Sequence, residues 1–148
     1  MSLLVVGTIR IDCIETPTQK RGDQLGGSAS YFAYAASFYT KVHLISVVGR
    51  DFPSVHRTLL ESRNVDLSGL QVLDGQTFRW TGRYHENMID RDTLKVELNV
   101  FGTFDPQVPE HARRAEYVFL ANGSPAVQRK VLQQMQRRPK FVAADTMD

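Results

Sequence analysis

The chain has 148 residues, 42% hydrophobic and 23% charged, with a formal net charge of +2 and a single cysteine. This is the size and composition of one globular domain. The small, dispersed charge excludes a protein held to nucleic acid by its overall charge, and lone Cys13 excludes an internal disulfide framework and fits a reducing compartment. No apolar run is long enough to span a membrane and no leader pattern is visible, so a cytoplasmic protein with no membrane or nucleic-acid partner is expected.

Leu3 to Ile9 is a near-continuous apolar run and reads as a buried parallel strand. Ile14 to Leu25 is polar, holds Pro17 and carries the turn signal Gly22-Asp23, so it reads as a short hairpin leaving the main sheet. Gly26-Gly27 then opens directly into Ser28-Ala29-Ser30-Tyr31-Phe32-Ala33, an almost wholly apolar helix that must be buried, with Ser28 as N-cap and its end near Tyr39. Two glycines allow a tight turn and close approach to a ligand, and a helix starting there offers it unpaired N–H groups. Val42 to Val48 is the next buried strand; this βαβ order implies a parallel sheet with a right-handed crossover.

Asp51-Phe52-Pro53 predicts a second helix, with Asp51 as cap, Pro53 in the first turn, and Val55, Leu59 and Leu60 on the apolar face. Val65 to Leu73 returns to the sheet, and Asp74-Gly75 turns the chain. From Thr77 to His85 the sequence alternates, with Phe78, Trp80 and Tyr84 on one face; Leu94, Val96, Leu98 and Val100 repeat the period. These predict two half-exposed antiparallel strands around a mobile polar loop, Glu86 to Thr93. Segments 13–25 and 76–101 together predict a small antiparallel flap inserted in an α/β domain. Pro109 to Ala115 then reads as a short helix and Tyr117 to Ala121 as a buried strand. Ser124-Pro125 caps a helix bearing Val127, Val131, Leu132 and Met135, and Phe141 to Ala144 is a last strand. The chain stops four residues later with no helix to cover that strand, which reads as part of a larger α/β protein.

No triphosphate-binding loop, dinucleotide fingerprint or nucleophile elbow is present. The four histidines are scattered in sequence and Cys13 has no neighbour at metal-ligand spacing, so no metal site is expected. The candidate residues fall at strand ends, where open parallel sheets bind ligands. Asp12 is either an acceptor for ligand hydroxyls or a turn former; Gly26 and Gly27 are either a ligand cradle or a plain junction. Trp80 is either flap core or a cover over a ligand, and Asn122 either shapes a turn or touches the ligand. Asp145 divides equally between buried pairing and ligand contact.

Several segments, taken in order, resemble the landmarks of the ribokinase-like, or PfkB-type, family of carbohydrate and nucleoside kinases. They are Val5-Val6-Gly7 through Asp12, Gly26 through Ala33, Val47-Val48-Gly49-Arg50-Asp51-Phe52, Val65-Asp66-Leu67-Ser68-Gly69, Gly75-Gln76-Thr77 and Asp145-Thr146-Met147. The resemblance covers essentially the whole chain and the N-terminal half of such an enzyme. It implies an α/β, ribokinase-like (Rossmann-like) fold with a β flap and with the C-terminal half absent. The implied function is the acceptor-binding half of an ATP-dependent kinase that phosphorylates a hydroxymethyl group of a sugar or nucleoside. Asp12, Gly26 and Gly27 would hold substrate hydroxyls, with Trp80 and Asn122 beside them, and Tyr31 stands where the signature has Asn and would alter a contact. Pro53 and Asp148 depart from the pattern in the same way. The family's Gly-Ala-Gly-Asp segment, which supplies the anion hole and the catalytic base, occurs nowhere in this sequence. No catalytic residue is therefore assigned, and ATP and Mg2+ are expected for an intact enzyme rather than for this chain. The flap also implies a homodimer, and the alternative function is a non-catalytic binding or assembly protein pairing through that flap.

Overall fold

A computed structural model describes residues 1–146; Met147 and Asp148, and with them the end of the last family landmark, lie outside the described residues. In chain order the elements are β1 (Ser2–Val6), β2 (Arg10–Glu15), β3 (Lys20–Gly26), α1 (Ser28–Ala36), β4 (Lys41–Gly49), α2 (Ser54–Glu61), β5 (Val65–Asp66), β6 (Leu70–Leu73), β7 (Arg79–Tyr84) and β8 (Arg91–Glu97). Two 3-10 turns (Asn99–Thr103 and Glu110–Ala112) lead to β9 (Tyr117–Leu120), α3 (Pro125–Gln133) and β10 (Phe141–Ala144).

The apolar runs of β1 and β4 build a parallel sheet of order β10-β9-β1-β4-β5, with β6 also pairing with β4. Strands buried on both faces need apolar residues at both parities, and these have them. One face packs Leu4, Val6, Ile45 and Val47 against Phe104, Val118 and Val131; the other packs Val5, Leu44 and Val48 against Ala29, Ala33 and Leu60. Ser124 caps α3, its side chain accepting from the Val127 N–H with Pro125 in the first turn. Among the described residues no helix is long and apolar enough to cross a membrane.

The second sheet has the order β3-β2-β7-β8. Pairs β2–β3 and β7–β8 are antiparallel, but β2 and β7 run parallel, with Asp12 opposite Trp80. The flap is thus mixed rather than purely antiparallel. Its two hairpins leave the same end of the core sheet, after β1 and after β6, so their first strands point the same way.

Local expectations shift for identifiable reasons. The N-cap of α1 is Gly27 (φ 99°, ψ 140°) rather than Ser28, whose hydroxyl is engaged elsewhere, and the helix ends at Ala36 rather than near Tyr39. Pro53 is the N-cap of α2 and Asp51 does not cap it. Val65 to Leu73 is broken into two short strands. Val100 leaves the flap strand for a 3-10 turn and packs with Phe104 in the main core, while Leu94, Val96 and Leu98 stay exposed. The loop before β8 is a compact turn closed by the His85 N–H on Asp90 O at 2.9 Å, not a long segment reaching Thr93.

Candidate functional site

Alternation along a strand places Arg10 and Asp12 on one face of β2, where it leaves the end of β1. Arg10 Nε donates to Asp12 Oδ1 at 2.7 Å and Nη2 to Oδ2 at 3.3 Å. Only 4% of Asp12 is exposed. Burial pushes its carboxyl above the ordinary range, against the opposing pull of the Arg10 hydrogen bond and charge. The carboxylate lies over the bare α-carbon of Gly26, where any Cβ would overlap its oxygens. On the other side the Arg10 guanidinium stacks 5.2 Å from the centroid of Trp80 and 5.9 Å from that of Phe78. Trp80 is buried in the flap, donates Nε1–H to Thr93 Oγ1 at 3.3 Å and rests on Gly82.

Gly27 has positive φ, and a Cβ there would overlap Thr8 O. That close approach lets Thr8 occupy the helix start: its carbonyl accepts the Ala29 N–H at 3.2 Å and its hydroxyl accepts the Ser28 N–H at 3.2 Å. These two amides are therefore engaged within the chain rather than open to a ligand, contrary to expectation. Asn122 joins the same junction through its backbone, its N–H on Ser28 Oγ at 2.8 Å and its carbonyl accepting the Thr8 N–H at 3.1 Å. Tyr31 points elsewhere. It is 62% exposed, donates its hydroxyl to Leu25 O at 3.1 Å, and lines a hollow of about 270 Å³ with Ile14, Gln24 and Leu25.

Arg10 was not singled out from sequence, although its spacing of two from Asp12 on a strand is a readable signal. A second group had no such signal. Thr77, fully buried at the root of the flap, donates its N–H and hydroxyl to Asp51 Oδ1, both at 2.7 Å, while its hydroxyl accepts the Gly49 N–H at 3.0 Å. Arg79 bridges Asp51 Oδ2 at 3.1 Å and Asp23 Oδ1 at 3.2 Å, tying core, β7 and the first hairpin together. Burial works to raise the Asp51 carboxyl, but the two Thr77 donors and Arg79 outweigh it and hold it below the ordinary range.

The histidines, scattered in sequence, are partly gathered in space. Asp66 Oδ2 lies 2.9 Å from His43 Nδ1 and 2.7 Å from His111 Nε2. Burial works to raise the Asp66 carboxyl, and the Ser68 N–H and hydroxyl with the two imidazoles overcome it, holding it far below the usual range.

No family model matches the chain. A cytidine kinase of Thermococcus kodakarensis is 30% identical over 138 residues, covering 91% of this chain and 48% of that protein. A nucleoside kinase of Methanocaldococcus jannaschii, described as an archaeal member of the ribokinase family, superposes with a TM-score of 0.72 at 17% identity, over 97% of this chain and 52% of its own. A candidate ribokinase II of E. coli in complex with ATP and Mg2+ gives a TM-score of 0.73 at 18% identity, over 91% of this chain and 49% of its own. The fold is ribokinase-like. In sequence the chain is distantly similar to a nucleoside kinase, and the two solved structures, at 17% and 18% identity, share its fold. The chain spans about half the length of the relatives it matches.

Proposed function

We propose that this chain binds the acceptor of an ATP-dependent sugar or nucleoside kinase, a phosphotransferase that acts on a hydroxymethyl group. The observation that carries the reading is the buried Asp12 carboxylate at the junction of core sheet and flap, laid over bare Gly26 backbone and held by Arg10. A carboxylate accepts hydrogen bonds from adjacent ring hydroxyls, and the absence of a side chain at residue 26 leaves that oxygen pair its space. Arg10, stacked on Trp80 and Phe78, adds donors on an aromatic wall. Similarity to a cytidine kinase favours a nucleoside over a free sugar.

The residues present do not fit Mg-ATP. The amides of Ser28 and Ala29 are taken by Thr8, and no triphosphate-binding loop or Gly-Ala-Gly-Asp segment occurs in the sequence. In this reading the phosphate-handling groups and the base belong to the other half of a full-length kinase, and the chain contributes acceptor positioning and water exclusion. The test is calorimetric titration of the chain with cytidine, inosine and ribose, alongside Asp12→Ala. Saturable binding lost in the variant supports the proposal; equal heats in both proteins overturn it. A companion assay of ADP formation, with ATP and Mg2+, belongs to the intact gene product.

A second reading rests on β8. This edge strand exposes Leu94 (44%) and Val96 (52%), and an open edge with apolar residues invites a second flap. Sedimentation of the chain and of a Val96→Pro variant tests it: a dimer mass reduced by the substitution supports pairing, and a mass unaffected by it rejects pairing.

A further inference from the structure

We propose that His43, Asp66 and His111 form a site for a late first-row divalent cation of the Zn2+ type, distinct from the acceptor site. Their donor atoms, His43 Nδ1, Asp66 Oδ2 and His111 Nε2, all lie within 4.8 Å of one another. A tetrahedral zinc with bonds of ~2.0–2.1 Å sets its ligand atoms ~3.3 Å apart. The two short edges, 2.9 and 2.7 Å, need to open by a few tenths of an ångström, and the edge between the two imidazole nitrogens, now within 4.8 Å, must settle at the same ~3.3 Å as His111 swings onto the ion.

The three elements supply complementary properties. His43 is buried on β4 and gives a fixed ring. Asp66 ends β5, and its other oxygen, Oδ1, accepts the Ser68 N–H at 2.9 Å, which orients the carboxylate as an outer-shell partner does in metal sites. His111, in the second 3-10 turn and with its side chain 53% exposed, supplies both the entry path and the freedom to swing onto an ion. Two imidazoles and one carboxylate suit Zn2+, Co2+ or Ni2+ and not the all-oxygen shells of Mg2+ or Ca2+. Three protein ligands leave a position for water.

His43 is six residues up β4 from Gly49, which meets the flap root, so the site stands roughly 20 Å along the strand from it. An ion there would pin the 110–112 turn to the core sheet, closing sequence separations of 23 and 45 residues from Asp66. Failure of the kinase reading leaves this proposal untouched, and the reverse holds too.

The experiment is titration of the chelator-stripped chain with Co2+, read by visible absorption, followed by Zn2+ displacement. One equivalent of Co2+ producing saturable bands that Zn2+ removes is the expected result. A hundredfold excess of Zn2+ over its Kd raises Tm by about 4 °C or more. His111→Ala weakens Co2+ binding by at least about tenfold, whereas His56→Ala, away from the cluster, leaves it unchanged. Circular dichroism checks that the variants fold. In the wild-type chain, imidazole NMR signals of His43 and His111 respond to Zn2+ while those of His56 and His85 do not, a readout that survives if His111→Ala unfolds. Absent Co2+ bands, binding undiminished in folded His111→Ala, or shifts confined to His56 and His85 would each overturn the site and leave a hydrogen-bonded triad.

Discussion

The carboxylate of Asp12 rests on the α-carbon of Gly26, so closely that a methyl group there would occupy the same space. Gly26→Ala must therefore move Asp12 and loosen its pair with Arg10, at a cost of about 1–3 kcal/mol. Gly27→Ala costs more, because it adds about 1–3 kcal/mol for a side chain at φ 99° and meets Thr8 O, a backbone atom already bonded to Ala29. Urea denaturation ranks the two; a Gly26→Ala variant less stable than Gly27→Ala contradicts this geometry.

Asp12 also gives a sign to the pH dependence. Its carboxyl is raised in the folded chain, so between the ordinary carboxylate value and that raised value the folded chain holds more protons than the unfolded one. Stability contributed by Asp12 consequently falls as pH rises through this window. Asp12→Asn removes that slope, which denaturant midpoints measured from pH 4 to 7 reveal. Arg10→Ala takes away the opposing donor and extends the window at its upper end.

Asp51 behaves oppositely. Its carboxyl is lowered in the folded chain, so its contribution is fully present above the ordinary carboxylate value and is lost as pH falls through the folded value. Asp51→Ala, leaving Thr77 without its acceptor, destabilises by about 2 kcal/mol at neutral pH and by less in acid. Thr77→Val costs a similar amount, and the double variant loses less than the sum because both break one network. Additive losses would show that the Thr77–Asp51 pair does not hold the flap root.

The single tryptophan provides an optical test of the flap. Trp80 packs on Gly82, where a Cβ would overlap its ring. Gly82→Ala expels the indole, shifts its emission to the red and costs about 1–3 kcal/mol, part of it the lost Arg10 stacking. Emission unchanged from wild type would mean that the ring is not seated there.

The strands and helices whose burial repeats locally were readable one segment at a time. Leu3 to Val6 and Val42 to Val48 carry apolar residues at both parities, and only a sheet covered on both faces uses them so. Ser124-Pro125 is likewise a local capping signal, and the structure places it as such. Ser28 failed because a second demand won: its hydroxyl serves the Asn122 amide, 94 residues away, and Gly27 takes the cap instead.

The same division holds for the sites. Pattern and order along the chain determined an α/β sheet and a flap, because those properties depend on neighbours within a few residues, whereas Asp12, read as following the first strand, lies inside β2 of the flap. Only the tertiary structure decided that the flap is mixed, that Arg10 and Gly26 enclose Asp12, that Thr8 occupies the start of α1, and that His43 and His111 meet at Asp66. Each of those depends on which strand ends the parallel sheet brings together, and a crossover joining residues tens of positions apart leaves no local mark in the sequence.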